Sequence, residues 1–171
     1  MSARLTTGVG LGEYANSILQ QVKSFDQDEF WKQSDPVDRI HIGVEPMLLA
    51  LSMELALKAW YVFDHDSEAV IKSHDLLKLF EGLKIESQEK LDQEFKRTIA
   101  PIHINGFYVD YGIADVLSQH ADAFVEWRYL HERNKNMRFE TGTFIATLEL
   151  VLQEFKKRYR VKKMPPLRPP N

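Results

Sequence analysis

Apolar residues recur at steps of three and four along most of this chain, and that spacing constrains its fold more than any other feature. Tyr14, Ile18, Leu19, Val22 and Phe25 fall on one side of a helix. Leu48, Leu51, Leu55 and then Ala59 predict the inward stripe of a second helix, expected from about Glu45 to Phe63. Asp35-Pro36 has the form of an N-cap followed by a first helical proline, while Pro46 predicts a break near Gly43. Ser73 is expected to cap a short helix, HDLLKLFEGL, that Gly82 helps to end, and Ser87 to cap another reaching about Ile99. Ile113, Leu117, His120, Phe124, Trp127 and His131 then alternate steps of four and three, which predicts one long helix closing in VEWRYLHERN. Phe144, Leu148, Val151, Leu152, Phe155 and Tyr159 mark a last helix from about Thr143 to Lys162.

Polar or glycine-punctuated stretches separate these segments: FDHDSEAVIKS, INGFYVDYG and RNKNMRFETG. No internal repeat and no strand pattern interrupts them. The expected fold class is all-α, a single-domain bundle of five or six helices over residues 1–163, followed by a proline-rich tail over 164–171. A length of 171 residues suits one domain with a real core. A net charge of −3 gives no general attraction to nucleic acid or anionic membrane, so such binding would need a local basic patch. With no cysteine, disulfides, thiol catalysis and thiolate metal sites are excluded. The N-terminal residues lack an apolar secretory core, and the apolar run Met47 to Leu57 is interrupted by Ser52 and Glu54. That run is expected to be too short for a bilayer, which needs about 20 residues. A cytoplasmic protein with no membrane association is expected.

Three elements carry a family resemblance. A long helix contains ELALKA, Glu54 to Ala59; a polar loop then leads to HDLLKLF, His74 to Phe80; a later helix carries Arg128-Tyr129. In this order they resemble the HEPN superfamily (higher eukaryotes and prokaryotes nucleotide-binding), over roughly residues 46–133. The resemblance implies a helical domain, no cofactor, and Lys58, His74, Asp75, Tyr129 and Arg133 as binding residues. It also implies a homodimer and, as partners, RNA, a nucleotide, or a protein such as a nucleotidyltransferase or a cognate toxin or antitoxin.

Many members of that superfamily are metal-independent ribonucleases with an arginine and, four to six residues later, a histidine. Arginine suits charge stabilisation on a phosphate, and histidine suits proton transfer from a 2′-hydroxyl. Here four to six intervening residues after Arg128 lead to Arg133, Asn134 and Lys135, and the same count from Arg133 leads to Arg138, Phe139 and Glu140. The nearest histidine is His131, so Arg128 and His131 form the candidate catalytic pair at an unusual spacing. A catalytically degenerate binding module is therefore expected. A ribonuclease using Arg128 is the alternative, and an unrelated helical interaction protein the second alternative.

Each candidate also has an ordinary structural role. Arg128, His131 and Glu132 can form surface ion pairs on one helix, worth about 0.3–0.5 kcal/mol each. Asp75 complements a helix dipole. The acids of Asp64 to Glu68 are expected to be solvated rather than metal-binding, and no metal is expected. Phe107, Tyr108 and Tyr111 can stack on bases or plug the end of a bundle. The basic run Lys156 to Lys163 can meet nucleic acid or simply solvate a helix end.

Overall fold

The computed structural model describes residues 2–25, 43–100, 111–129 and 138–159. Every regular element among them is helical: α1 Val9–Phe25, α2 Val44–His65, α3 Leu76–Glu81, α4 Ile85–Thr98, α5 Ile113–Gln119, α6 Ala123–Arg128 and α7 Thr141–Lys156. A wide π-type turn, Arg4–Gly8, runs directly into α1. Asp35-Pro36, Phe107, Tyr108, His131 to Arg133 and the proline-rich tail lie outside the described residues.

Helix α2 is the axis of the fold. Gly43 occupies its N-cap position, and Pro46 is its third residue, where a backbone N–H would have no helical partner. The expected break near Gly43 is therefore present. The expected inward stripe is not. Leu48, Leu51 and Leu55 are only partly buried, whereas Leu49, Ala50, Met53, Ala56, Leu57, Ala59 and Trp60 are buried. Leucines occur on both sides of this helix, so the side facing the core is chosen by its neighbours. At 22 residues, α2 is also long and apolar enough to cross a membrane, which corrects the expectation from the shorter run. Inside the fold, 67% of its apolar window is buried, as befits a core helix.

Small residues let α1 lie close to its neighbours. Its buried face is Gly12, Ala15, Leu19 and Val22, while Tyr14, expected on the inward stripe, is exposed. The Ser52 hydroxyl donates to the Ala15 carbonyl at 2.7 Å, a bond that requires near approach of the two backbones. On the other side α7 docks by the expected stripe from Phe144 through Leu148, Val151, Leu152 and Phe155, all buried, but it ends at Lys156 rather than near Lys162, which leaves Tyr159 half-buried beyond it. The Trp60 indole N–H donates to the Val151 carbonyl at 3.1 Å, so the largest core side chain has its polar atom satisfied.

The caps differ from expectation in instructive ways. Asp75, not Ser73, is the N-cap of α3 and accepts from the Lys78 N–H at 3.0 Å; Ser73 accepts from the Asp75 N–H. Gly82 has ordinary helical angles, and a side chain there would strike Ile71, so close packing explains it rather than a left-handed cap. Helix α4 begins at Ile85, and Ser87 does not cap it. Instead, the distant Asp64 carboxylate accepts from the Lys84 N–H at 2.9 Å and from the Ser87 hydroxyl at 2.8 Å.

The long helix predicted from Ile113 onward is broken in two at His120. Its ring Nδ1 meets the Val116 carbonyl at 2.8 Å, and Nε2 accepts from the Glu140 N–H at 3.2 Å. Phe139 and Phe144 pack edge-on against the ring, with centroids at 4.6 and 5.1 Å. The apolar period runs through this corner unbroken, so nothing local announces the break. A histidine bonded at both nitrogens to separate segments holds it. The helix that carries Val125 to Arg128 is thus the short α6, with Tyr129 as its C-cap, and residues 130–134 of VEWRYLHERN lie outside the described residues.

Candidate functional site

The element HDLLKLF explains itself once its start is seen. Asp75 caps the helix, Leu76 and Leu79 are buried, and His74 is left one residue outside, free to reach across to α2. The Leu76 N–H donates to the Ala121 carbonyl at 3.0 Å, which ties the start of α3 to the α5–α6 corner. This bond brings α6 alongside His74.

Glu54 is the centre of the resulting cluster. Its side chain is 5% exposed, and its two oxygens have separate partners. Lys58, one turn later on α2, donates to Oε1 at 2.6 Å. The His74 Nδ1 lies 2.9 Å from Oε2. Both partners are needed, since a buried carboxylate without them would carry a large desolvation penalty. The His74 side chain is itself 55% exposed, and its ring packs on Phe124 of α6 with centroids 5.2 Å apart.

Phe124 and Arg128 are i and i+4 on α6 and share one of its faces. Arg128 is exposed, and its guanidinium lies 5.5 Å from the centroid of the Tyr129 ring, which is 41% exposed. The three elements singled out in the sequence therefore adjoin: Lys58 and His74 through Glu54, and His74 to the Arg128 helix through Phe124. Among the described residues no hydrogen bond or ion pair joins Arg128 directly to Lys58 or His74. Asp75 is turned to capping its own helix. His131 and Arg133, the remaining candidates, lie outside the described residues.

Glu54 is the residue that sequence reasoning missed. It was visible as an acid interrupting an apolar run, four residues before a lysine, which is the i,i+4 spacing of an ion pair. Two other charge centres were missed in the same way. Asp64, expected in a solvated loop, is buried on α2 and receives Arg158 at 2.7 Å. Arg158, expected at a solvated basic end, packs over Trp60 at 4.6 Å. Glu154 is buried between Lys90 and Lys157; burial pushes its carboxyl up, but the two ammonium groups outweigh it and hold it below the usual range. Tyr111 packs on Phe95 with centroids 5.7 Å apart, the bundle-plugging role.

A groove of about 290 Å³ runs between α4 and α7, lined among others by Glu94, Arg97, Ile99, Glu149 and Lys157. Its charges pair among themselves or with flanking lysines, as in Arg97–Glu94 and Lys23–Glu149, and it shares no residue with the Glu54 cluster. Among the described residues no group of three histidine or acid side chains is gathered as a metal site would require.

No family model matches this chain, and comparison with curated proteins and with solved structures returns no significant match.

Proposed function

We propose that this chain is a HEPN-like, catalytically degenerate domain that binds a ribose-phosphate ligand, RNA or a nucleotide, and works as a homodimer. The ligand face is His74 and Phe124 together with Arg128 and Tyr129. The observation that carries this proposal is Glu54, whose carboxylate joins Lys58 to His74 while His74 packs on the helix bearing Arg128. With Lys58 committed to Glu54, the exposed cation on this face is Arg128, which suits a phosphate as a planar donor. An exposed tyrosine and a half-exposed histidine supply flat surfaces for a base.

The test is fluorescence anisotropy with a short single-stranded RNA and with nucleoside monophosphates at low salt. His74→Ala and Arg128→Ala should each weaken binding by at least about tenfold, the first through loss of a stacking surface and the second through loss of a charge-assisted hydrogen bond. The RNA should remain intact. A wild-type chain that binds neither probe overturns the proposal, and light scattering that finds only a monomer overturns its dimeric part.

One observation favours a second reading, a metal-independent ribonuclease using Arg128. His74 engages Glu54 by Nδ1, so Nε2 is left for proton transfer in place of the histidine missing from the usual spacing. This reading requires RNA cleavage in the presence of chelator that is lost in both Arg128→Ala and His74→Ala.

A further inference from the structure

His74 meets Glu54 through one ring nitrogen, and the chemistry of the partner decides where the ring proton sits. An ionised carboxylate accepts hydrogen bonds and cannot donate them. Lys58 donates to the other oxygen at 2.6 Å, so Glu54 accepts from both sides. The hydrogen bond at Nδ1, 2.9 Å, therefore requires a proton on Nδ1 whether the ring as a whole is neutral or charged. Histidine free in water prefers the opposite tautomer, with its proton on Nε2. Glu54 reverses that preference by accepting at Nδ1.

The consequence falls on Nε2. Among the described residues this nitrogen has no hydrogen-bond partner, and the side chain is 55% exposed. On a neutral ring Nε2 carries a lone pair, so it seeks a donor. It cannot itself donate to a phosphate oxygen in that state. We propose that Glu54 is the positioning residue of the ligand face: it holds the His74 proton on Nδ1 and presents Nε2 as an acceptor, which selects a ligand offering a hydroxyl beside its anionic group. Arg128, on the Phe124 face of α6, takes the anion, and Nε2 takes the hydroxyl. This rests on the ligand-binding proposal above and adds a selectivity to it.

Two measurements on the full chain test it. Nitrogen-15 correlation spectra at neutral pH should show His74 in the Nδ1–H tautomer in the wild type and the Nε2–H tautomer in Glu54→Leu. Fluorescence anisotropy should find a short single-stranded RNA bound about tenfold tighter than the DNA strand of matching sequence. Glu54→Leu should bind the two strands alike. If Glu54→Leu does not fold, the wild-type tautomer and the RNA-to-DNA ratio of wild type against His74→Ala decide the matter. An Nε2–H tautomer in the wild type, or equal binding of the two strands by it, overturns the proposal. The Nδ1–H tautomer with neither strand bound overturns the ligand-binding proposal and the hydroxyl selection with it, while leaving Glu54 as the residue that sets the tautomer.

Discussion

Arg158 donates to Asp64 at 2.7 Å, and this pair joins residues 94 positions apart in the chain. The Asp64 side chain is 1% exposed, and it also accepts from the Lys84 backbone and the Ser87 hydroxyl. The Arg158 guanidinium lies 4.6 Å from the Trp60 ring centroid and 5.3 Å from that of Phe63. One carboxylate thus locks the end of α2 to the start of α4 and to the residues just after α7. Arg158→Met should destabilise the fold by about 3 kcal/mol, the lower part of the range for leaving a buried charge short of its partner, because two donors remain. The urea midpoint should fall with little change in slope. A variant within about 0.5 kcal/mol of wild type contradicts this role.

The Glu54 cluster predicts an asymmetry between two substitutions of one ion pair. Lys58→Leu leaves a carboxylate with 5% exposure facing His74 alone. Glu54→Leu leaves a lysine that is 14% exposed, whose long stem can carry its ammonium to water. We expect a loss of about 3 kcal/mol for the first and about 1 kcal/mol for the second. Equal losses, or the reverse order, in urea denaturation would show that the carboxylate is better solvated than its surroundings imply.

His120 predicts how stability depends on pH. Burial, against the smaller opposing pulls of the Val116 carbonyl and the Glu140 carboxylate, holds its pKa below the ordinary 6.5. As pH falls below the unfolded value, the unfolded chain takes up a proton that the folded chain refuses. The contribution is therefore complete above about pH 6.5, is lost as pH falls toward the depressed folded value, and levels off below it. Protonation also removes the lone pair that accepts the Glu140 N–H. Thermal midpoints measured from about pH 7.5 down to about pH 5 should fall more steeply in the wild type than in His120→Gln. Parallel curves would rule His120 out as the source.

Gly12 marks the close contact of α1 with α7. A Cβ there would lie 2.6 Å from Cε1 of Phe155, a ring that is 1% exposed and held against Trp60 and Phe63. Alanine is normally the better helix residue by about 1 kcal/mol. Here overpacking should win, and Gly12→Ala should lower stability by about 1–3 kcal/mol. Gly10, with open space around the same atom, is the control: Gly10→Ala should be neutral or stabilising. Calorimetric midpoints moving the same way for both would defeat the packing argument.

How far the sequence could be read depended on the range of the interaction behind each feature. Helical spacing is local, so the segments around Val22, Leu57, Leu79, Leu91 and Val151 were identifiable as helices, and the stripe of α7 was right from Phe144 to Phe155, though not at Tyr159, which lies beyond the helix end. The HDL element was legible as a helix start because two inward leucines follow a polar cluster, although the cap within that cluster is Asp75 and not the expected Ser73. The core side of α2 was misread because leucines lie on both sides, and only α1 and α7 decide which side they cover. The break at His120 was invisible because the apolar period continues in phase through it. In the candidate site, Lys58, His74 and Arg128 were found as types in order, but the carboxylate linking the first two was passed over as an interruption.

The sequence by itself determined that this chain makes helices and roughly where each lies, because that information is repeated every three or four residues. Only the tertiary structure decided which charges are buried and what each one meets. Glu54, Asp64 and Glu154 find partners 3 to 94 positions away. A charge removed from water must be matched by groups that packing happens to bring within hydrogen-bond reach, and no periodicity in the chain encodes that distance.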